Sequence, residues 1–369
     1  MKIGILTFHF VHNNGAMLQC WALQNQLTKM GHDVMVIDYR PLYHAKKYSA
    51  WKRPFLEDKD KDTLSKLRIL ASNYRYFTRK KRAKEFNKFE DNFNLTFKIS
   101  DISECKKLDI YNFDLIICGS DQIWNPKLTD GKFDPVYFAK IPGFKGKKIA
   151  YAISSGESDL NQKCEEIKEM TADFAAVSAR ENNTSNQLKN IVNPIPVLTV
   201  PDPTLLLDAD QYKKITSKIK HSNYILVYKL EDSPILNKTV EKLAHESGLR
   251  VINISPTELL SSVENEWIKN VGPNAFLGFI SGAEAIVTNS FHGTVFSIIF
   301  QKKVFVVPHS TRNERLSNLL TELKATDLFV YDEKDICSVQ DKHVDYLQIE
   351  SNIKRMRKNG IEFLESFIK

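Results

Sequence analysis

The chain has 369 residues, with 52 Lys+Arg against 45 Asp+Glu, 42% apolar and 26% charged residues. That length predicts about two domains, each able to bury a core without disulfide help. The composition is that of an ordinary globular protein and excludes a disordered, collagen-like or multi-span membrane chain; no run of 18 apolar residues is present to span a bilayer.

Met1 to Thr7 lacks the charged start, long apolar stretch and small-residue cleavage site of a signal peptide. Ile3 to Thr7 reads instead as a strand. Phe8 to Gly15 is a loop holding His9, His12, Asn13 and Asn14. Met17, Leu18, Trp21, Leu23, Leu27 and Met30 mark the apolar positions of a helix, and Gly31 suits its end. Val34 to Ile37 is the next buried strand. A strand, a helix and a strand within about 40 residues form a βαβ unit, which predicts a parallel sheet.

Between Arg40 and Asn94 the pattern changes. This segment holds 16 Lys+Arg and 7 Asp+Glu, while the rest of the chain holds 36 and 38. The formal charge of +7 therefore belongs to this segment. Leu64, Leu67, Ile69, Leu70, Tyr74 and Phe77 suggest one amphipathic helix, and Phe86, Phe89 and Phe93 another. The segment is expected as a helical insertion out of the first domain. It fits contact with an anionic membrane surface or a lipid-diphosphate-linked glycan, or a plain solvated face. No nucleic-acid partner is expected, because no nucleic-acid-binding signature accompanies the charge.

The strands then resume at Asp114 to Cys118, Lys148 to Ala152, Ala175 to Ala179 and Pro196 to Val200. Polar residues fall just beyond the end of each, where open α/β sheets bind ligands. Asp208 to Asn223 reads as a linker with one short helix. A second α/β set follows, with strands at Tyr224 to Tyr228, Arg250 to Ile254, Ala285 to Thr288 and Val304 to Val307. Helices are expected near 236–245, 274–281, 293–300 and 314–323, and over about the last 25 residues. The expected architecture is thus two doubly wound domains, 1–207 and 208–345, facing across a cleft, with a terminal helix over 346–369. The five scattered cysteines (Cys20, Cys105, Cys118, Cys164, Cys337) fit a reducing cytoplasm and predict neither a zinc site nor a disulfide framework.

Several loops carry side chains suited to chemistry. In Thr288-Asn289-Ser290-Phe291-His292-Gly293-Thr294 a strand feeds a turn and a helix start. The helix N-terminus suits an anion, and His292 can carry a proton near neutral pH or merely cap the turn. Arg180 follows a strand and precedes a helix that Asn182, Asn183 or Thr184 could cap. It can grip a carboxylate or phosphate with its fork, or pair with Glu181 on the surface. Arg312 and Arg315 could add positive charge to the same anion site. Gly119-Ser120-Asp121-Gln122-Ile123-Trp124-Asn125 has the makings of a sugar site: an indole to stack on, with Asp121, Gln122 and Asn125 for hydroxyls. The alternative is a Trp124 packed beneath its loop. Asn13, Asn14 and Gly15 open the first helix without a dinucleotide or P-loop pattern. His9 and His12 have no third ligand nearby, so no metal is expected. Asp202, between Pro201 and Pro203, faces the cleft or caps the linker.

Together these stretches resemble the polysaccharide pyruvyl transferase family over nearly the whole chain. The likeness rests on Asn13-Asn14-Gly15-Ala16-Met17-Leu18-Gln19, on Gly119 to Asn125, on Ser178-Ala179-Arg180-Glu181 with Pro201-Asp202-Pro203, and on Ser290-Phe291-His292-Gly293-Thr294. Many members have Tyr where this chain has Asn14. The resemblance implies a GT-B-like fold of two Rossmann-like domains. It implies transfer of a pyruvyl group from phosphoenolpyruvate, as donor substrate and with no added cofactor, to two hydroxyls of a surface-polysaccharide sugar or its precursor, giving a cyclic ketal. His292 and Arg180 are then the catalytic candidates. Ser290 to Thr294, with Arg312 and Arg315, form the donor side. Asn13, Asn14, Gly15, Asp121, Gln122, Trp124 and Asn125 form the acceptor side. The expected setting is the cytoplasm, with peripheral contact at the inner face of the plasma membrane as the option the basic segment opens. Two rivals remain: a sugar-nucleotide-dependent glycosyltransferase on the same kind of fold, and a non-catalytic glycan-binding protein.

Overall fold

Short runs of apolar residues, each closed by a polar loop, become the strands of two parallel sheets in the computed structural model, which describes residues 1–44, 63, 65, 76–156, 158–310 and 313–368. The first sheet is built from β1 (Lys2–Leu6), β2 (Asp33–Val36), β3 (Leu115–Cys118), β4 (Lys147–Ile153), β5 (Ala176–Ala179) and β6 (Val197–Thr199). Its order is β2-β1-β3-β4-β5-β6. The second has β7 (Tyr224–Tyr228), β8 (Arg250–Asn253), β9 (Asn265–Trp267), β10 (Ala285–Thr288) and β11 (Lys303–Val306), in the order β11-β10-β7-β8-β9. Central strands such as β3 and β7 are buried along their whole length, as parallel strands covered on both faces must be. The expected doubly wound α/β architecture is what the chain adopts.

The order of each sheet has one reversal. The chain leaves β1 on opposite sides to reach β2 and β3, and it leaves β7 on opposite sides to reach β8 and β10. At such switch points the connecting loops part and open a crevice at the C-terminal ends of the strands.

Helices cover the faces. They are α1 (Asn14–Lys29), α2 (Tyr76–Glu90), α3 (Cys164–Thr171), α4 (Asn182–Ile191), α5 (Ala209–Lys213), α6 (Pro234–Ser247), α7 (Pro273–Gly282), α8 (Phe291–Ile299), α9 (Asn313–Leu323), α10 (Glu333–Asp341) and α11 (Tyr346–Phe367). Asn13 caps α1, its Oδ1 accepting from the N–H groups of Gly15 at 2.9 Å and Ala16 at 3.2 Å. That satisfies two of the donors a helix start leaves open. The terminal helix does not stand apart as its own unit. Asn352 of α11 donates to Leu323 O at 3.1 Å, while Arg357 donates to Leu205 O at 3.0 Å and Leu207 O at 2.8 Å. It therefore straps both halves together.

The basic segment requires a correction. Of the helix expected from Leu64, Leu67, Ile69, Leu70, Tyr74 and Phe77, all but Phe77, which falls at the start of α2, lie outside the described residues. α2, however, is no appendage. Phe86 and Phe89 are both 0% exposed, in a core that also draws side chains from both sheets. Its Glu85 lies against Gly272 at the start of α7, and Arg82 donates to His12 O at 3.1 Å. Beyond it the chain runs along the edge of the first sheet, with Val36 N–H donating to Asn94 O at 2.7 Å and Ile99 N–H to Asp38 O at 2.9 Å. The reason is elementary: two phenylalanines three apart share one helix face, and that face must be buried. Among the elements that escaped the sequence reading are the three-residue β9, the short α3 and α10, and a 3-10 helix at Ile102–Tyr111. Each is too short or too polar to show a clear period.

Phe89→Ala should therefore destabilise the whole protein by about 3–5 kcal/mol, as core aromatic truncations do. Denaturant unfolding measures it. An effect within experimental error would restore the picture of a detachable insertion.

Candidate functional site

The two switch points face one another, and between them lies a cleft of about 390 Å³. Its walls come from the loops after β1 (Phe8, Val11, Asn13), β3 (Asp121, Gln122, Asn125), β7 (Tyr228, Leu230) and β10 (Asn289 to His292). Arg315 of α9 lines it too, with Glu314, Lys127, His44 and His309.

On the first-domain side a buried network fixes the loop after β3. Gln19 Nε2 donates to Thr7 Oγ1 at 3.0 Å, Thr7 Oγ1 donates to Ser120 O at 2.8 Å, and Ser120 N–H donates to Gln19 Oε1 at 3.2 Å. Gly119 has φ 116°, and a Cβ there would sit 2.2 Å from Tyr151 O, so only glycine fits. Asp121 is held at φ 69° with its side chain 13% exposed. Gln122 and Asn125 orient each other through a 2.8 Å amide contact, and Asn125 Oδ1 accepts from Ser158 Oγ at 3.0 Å.

Trp124 is a correction. It is 0% exposed, stacked on Phe138 with ring centroids 4.3 Å apart, and its Nε1 donates to Tyr137 O at 3.1 Å. A ring enclosed on this scale has no face for a sugar. The Phe and Tyr rings that do line the cleft are Phe8, Tyr228 and Phe291. Asn14 is buried and does not line the cleft, unlike Asn13. His9 is fully enclosed, with Nε2 2.9 Å from Asp38 Oδ1 and Nδ1 3.2 Å from Thr7 O. His12 stacks on Phe86; burial, helped by Arg82, lowers it to about 4, so it stays neutral near pH 7.

On the other side the strand β10 delivers Asn289, whose amide bridges Leu230 N–H at 2.7 Å and Glu231 O at 3.0 Å. Ser290 caps α8, accepting from Gly293 N–H at 3.3 Å. Gly293 and Thr294 are buried behind the cleft, Thr294 Oγ1 donating to Ser290 O at 3.1 Å. His292, 12% exposed, is the exception to this tight internal bonding. Its Nε2 lies 3.8 Å from Asp202 Oδ2 and has no hydrogen bond. Its ring rests on Gly15, where a Cβ would come within 2.0 Å of Nδ1. The two helix starts, α1 from one domain and α8 from the other, therefore meet at this histidine.

Arg180 is also placed differently from expectation. It pairs with Glu181, as its bland alternative allowed, but it does so in the interior. Nε donates to Glu181 Oε1 at 2.8 Å and Nη1 to Asp202 Oδ2 at 2.7 Å. Nη2 has no hydrogen bond and lies 3.6 Å from Asp121 Oδ1. The guanidinium sits over Phe291, 5.1 Å from the ring centroid. Two of its three nitrogens are thus already engaged, and it has no open fork to offer a ligand. Burial works against the charge of Arg180, but Glu181, Asp202 and Asp121 outweigh it and raise its affinity for the proton. Burial alone would likewise raise Asp202; His292, Arg180 and the Thr204 N–H outweigh that and hold it below the usual carboxylate range. None of Asn182, Asn183 or Thr184 caps α4. Its N-cap is Glu181, and that carboxylate is turned to Arg180 instead.

Arg315 reaches the cleft, while Arg312 lies outside the described residues. Sequence reasoning passed over Lys127, Phe8, Tyr228 and the pair of His309 with Glu231 at 3.3 Å. Their one signal was a place at, or in the loop after, the C-terminal end of a strand.

Two parallel-sheet domains with facing switch points define a GT-B-like α/β protein. The fold is similar to that of UDP-GlcNAc 2-epimerase from Neisseria meningitidis bound to UDP-GlcNAc, with TM-score 0.52 and 11% identity over 100% of this chain and 99% of that one. It is similar also to UDP-GlcNAc 2-epimerase from Methanocaldococcus jannaschii, with TM-score 0.50 and 12% identity over 94% and 93%. At such identities the likeness concerns the fold alone. Comparison with curated protein sequences gives no match. A family model described as polysaccharide pyruvyl transferase matches residues 13–311, and the chain belongs to that family. The matched span contains every cleft residue named above except Phe8, Val11, Glu314 and Arg315.

Arg180→Met should cost about 3–5 kcal/mol of stability, because it strands Asp202 and Glu181 as buried, unpaired carboxylates. Denaturant unfolding is the measurement. A loss no larger than the roughly 1 kcal/mol of a surface pair would refute the buried-pair reading.

Proposed function

We propose that the protein transfers the pyruvyl group of phosphoenolpyruvate to two hydroxyls of a glycan, forming a cyclic ketal and releasing phosphate. The observation that carries this reading is His292, a proton carrier set at the start of α8 in a cleft shared by the two domains. Phosphoenolpyruvate is inert until its methylene carbon takes a proton. That step leaves C2 with oxocarbenium character, open to a hydroxyl. The first sugar hydroxyl adds to C2 and loses its proton. The C2–O bond to phosphate breaks, and the second hydroxyl adds and loses its proton in turn. One of the two hydroxyl protons replaces the proton given to the methylene, and the other leaves with phosphate. No cofactor is needed, because the donor is already activated.

In this scheme His292 gives the proton to the methylene and recovers one from a hydroxyl. The N-terminus of α8, Arg315 and Lys127 supply the positive potential for the donor's anionic groups. Arg180 lies behind this wall, its Nη2 buried without a hydrogen bond, and it presents no open fork to the donor. Asn13, Asp121, Gln122 and Asn125 present hydrogen-bonding groups to the acceptor, with Phe8 and Tyr228 as apolar surface.

Mass spectrometry of a glycan panel incubated with protein and phosphoenolpyruvate should show a gain of pyruvic acid less one water, matched by released phosphate. His292→Ala should lower turnover by at least about 10²-fold, the lower end of general acid–base effects. Transfer from a sugar nucleotide instead, or a fully active His292→Ala, would sink this reading.

The charge on α2 favours a second element. Its Glu90 pairs with Arg40 at 2.7 Å, while Lys81, Lys84 and Lys88 point outward. Glu90 is neutralised by Arg40 while these three lysines are exposed, so the outer face is cationic. We propose that this face meets an anionic phospholipid surface. Among the described residues no helix is long and apolar enough to cross a membrane, so any contact made by them is peripheral. Each lysine near such a surface contributes about 1 kcal/mol, so replacing all three by Gln should weaken vesicle binding about 100-fold. Co-sedimentation with phosphatidylglycerol vesicles tests it. Binding equal on neutral and anionic vesicles would overturn it.

A further inference from the structure

We propose that Asp202 is the positioning residue of His292, holding the imidazole by Nε2 from the opposite domain so that Nδ1 is the nitrogen that exchanges protons with substrate. The inference rests on the proton-carrying role proposed for His292.

Asp202 is built to be immobile. Its backbone lies between two prolines, and its side chain is 0% exposed. Oδ1 accepts from Thr204 N–H at 3.0 Å and Thr204 Oγ1 at 2.7 Å. Oδ2 accepts from Arg180 Nη1 at 2.7 Å and faces His292 Nε2 at 3.8 Å. That nitrogen is buried with no hydrogen-bond partner. Buried polar atoms seldom stay so, and Asp202 is the carboxylate that faces it. A modest closing of the cleft brings the pair to hydrogen-bonding distance, as catalytic contacts often tighten only when substrate is bound.

The arrangement crosses the domain boundary. His292 belongs to the second domain, whereas Asp202 and Gly15 belong to the first. Gly15 has no Cβ, which lets the ring lie flat against α1. A carboxylate that accepts Nε2–H fixes the tautomer and leaves the Nδ1 lone pair for chemistry. The charged groups facing His292 are Asp202 and, behind it, Arg180. Asp121 lines the same cleft from the first domain, and His309, Glu314 and Arg315 from the second.

Two measurements test this. Nitrogen NMR of the imidazole in the intact protein should show the neutral ring protonated on Nε2; an Nδ1–H tautomer overturns the proposal. This readout needs no substrate, so it stands even if phosphoenolpyruvate is the wrong donor. In Asp202→Asn the amide keeps the Thr204 contacts but removes the charge that favours imidazolium. The expected result is a kcat lowered about 10- to 100-fold, a KM for phosphoenolpyruvate changed less than about twofold, and the alkaline limb of the pH–rate profile, where the proton-donating imidazolium is lost, moved to lower pH. An unmoved limb, or an unchanged kcat, contradicts it. If Asp202→Asn does not fold, the tautomer in the unaltered protein decides.

Discussion

Arg180 and Asp202 lie 2.7 Å apart with side chains 2% and 0% exposed. Asp202 is not tolerable as an ion at that depth without a cation beside it, since the effective penalty for burying one ion is several kcal/mol. The pair therefore forces β5 and β6 to lie side by side, because Arg180 follows one and Asp202 the other. It also fixes what packs above. Phe291 covers the guanidinium, so the first turn of α8 has to sit on the tip of the first sheet. Once α8 is there, His292 falls between Asp202 and Gly15, and the cleft between the two switch points acquires its floor.

The same geometry explains why the two domains make one working unit. α11 ties the second domain back to the loops at Leu205 and Leu207, just after Asp202. α2 spans from the His12 loop to α7. Both straps hold elements that border the cleft. Slack in either would separate His292 from Asp202 before it opened either core, since the 3.8 Å contact is the looser interaction.

The fold was largely legible because its strands are short apolar runs with polar exits. DLIIC followed by Gly-Ser-Asp can only be a buried strand and its loop, and β3 with Asp121 is that. The site was legible as a set of loops but not as a set of roles. Trp124 and Asp121 are neighbours in sequence, yet one is enclosed by Phe138 and the other borders the cleft. Residue type does not say which way a loop turns. Arg180 shows the larger gap. Its Glu181 partner is adjacent and visible, but Asp202 is 22 residues on and Asp121 is 59 residues back. A cation read from sequence looks available; only the fold reveals how much of its charge is already answered. α2 was misjudged for the same reason, since its lysines declared themselves while the partner face for Phe86 and Phe89 lay elsewhere in the chain.

Charge balance around Arg180 bears on how the proposed trianionic donor, phosphoenolpyruvate, could be used. One guanidinium meets Glu181, Asp202 and Asp121, so this corner carries no net positive charge of its own. Positive potential for the donor has to come from the end of α8, equivalent to about half a unit charge, and from Arg315 and Lys127 across the cleft. That is modest compensation for a trianion. Tight ground-state binding of the donor would not raise kcat, whereas charge that forms during transfer is what the site must meet. In the proposed reaction that charge is positive, at C2, once the methylene is protonated. A corner rich in fixed carboxylates, unsuited to gripping the donor, is suited to an oxocarbenium-like centre. The acidic surroundings of Arg180 thus make sense as preparation for the cation that the reaction creates rather than for the anion that it consumes.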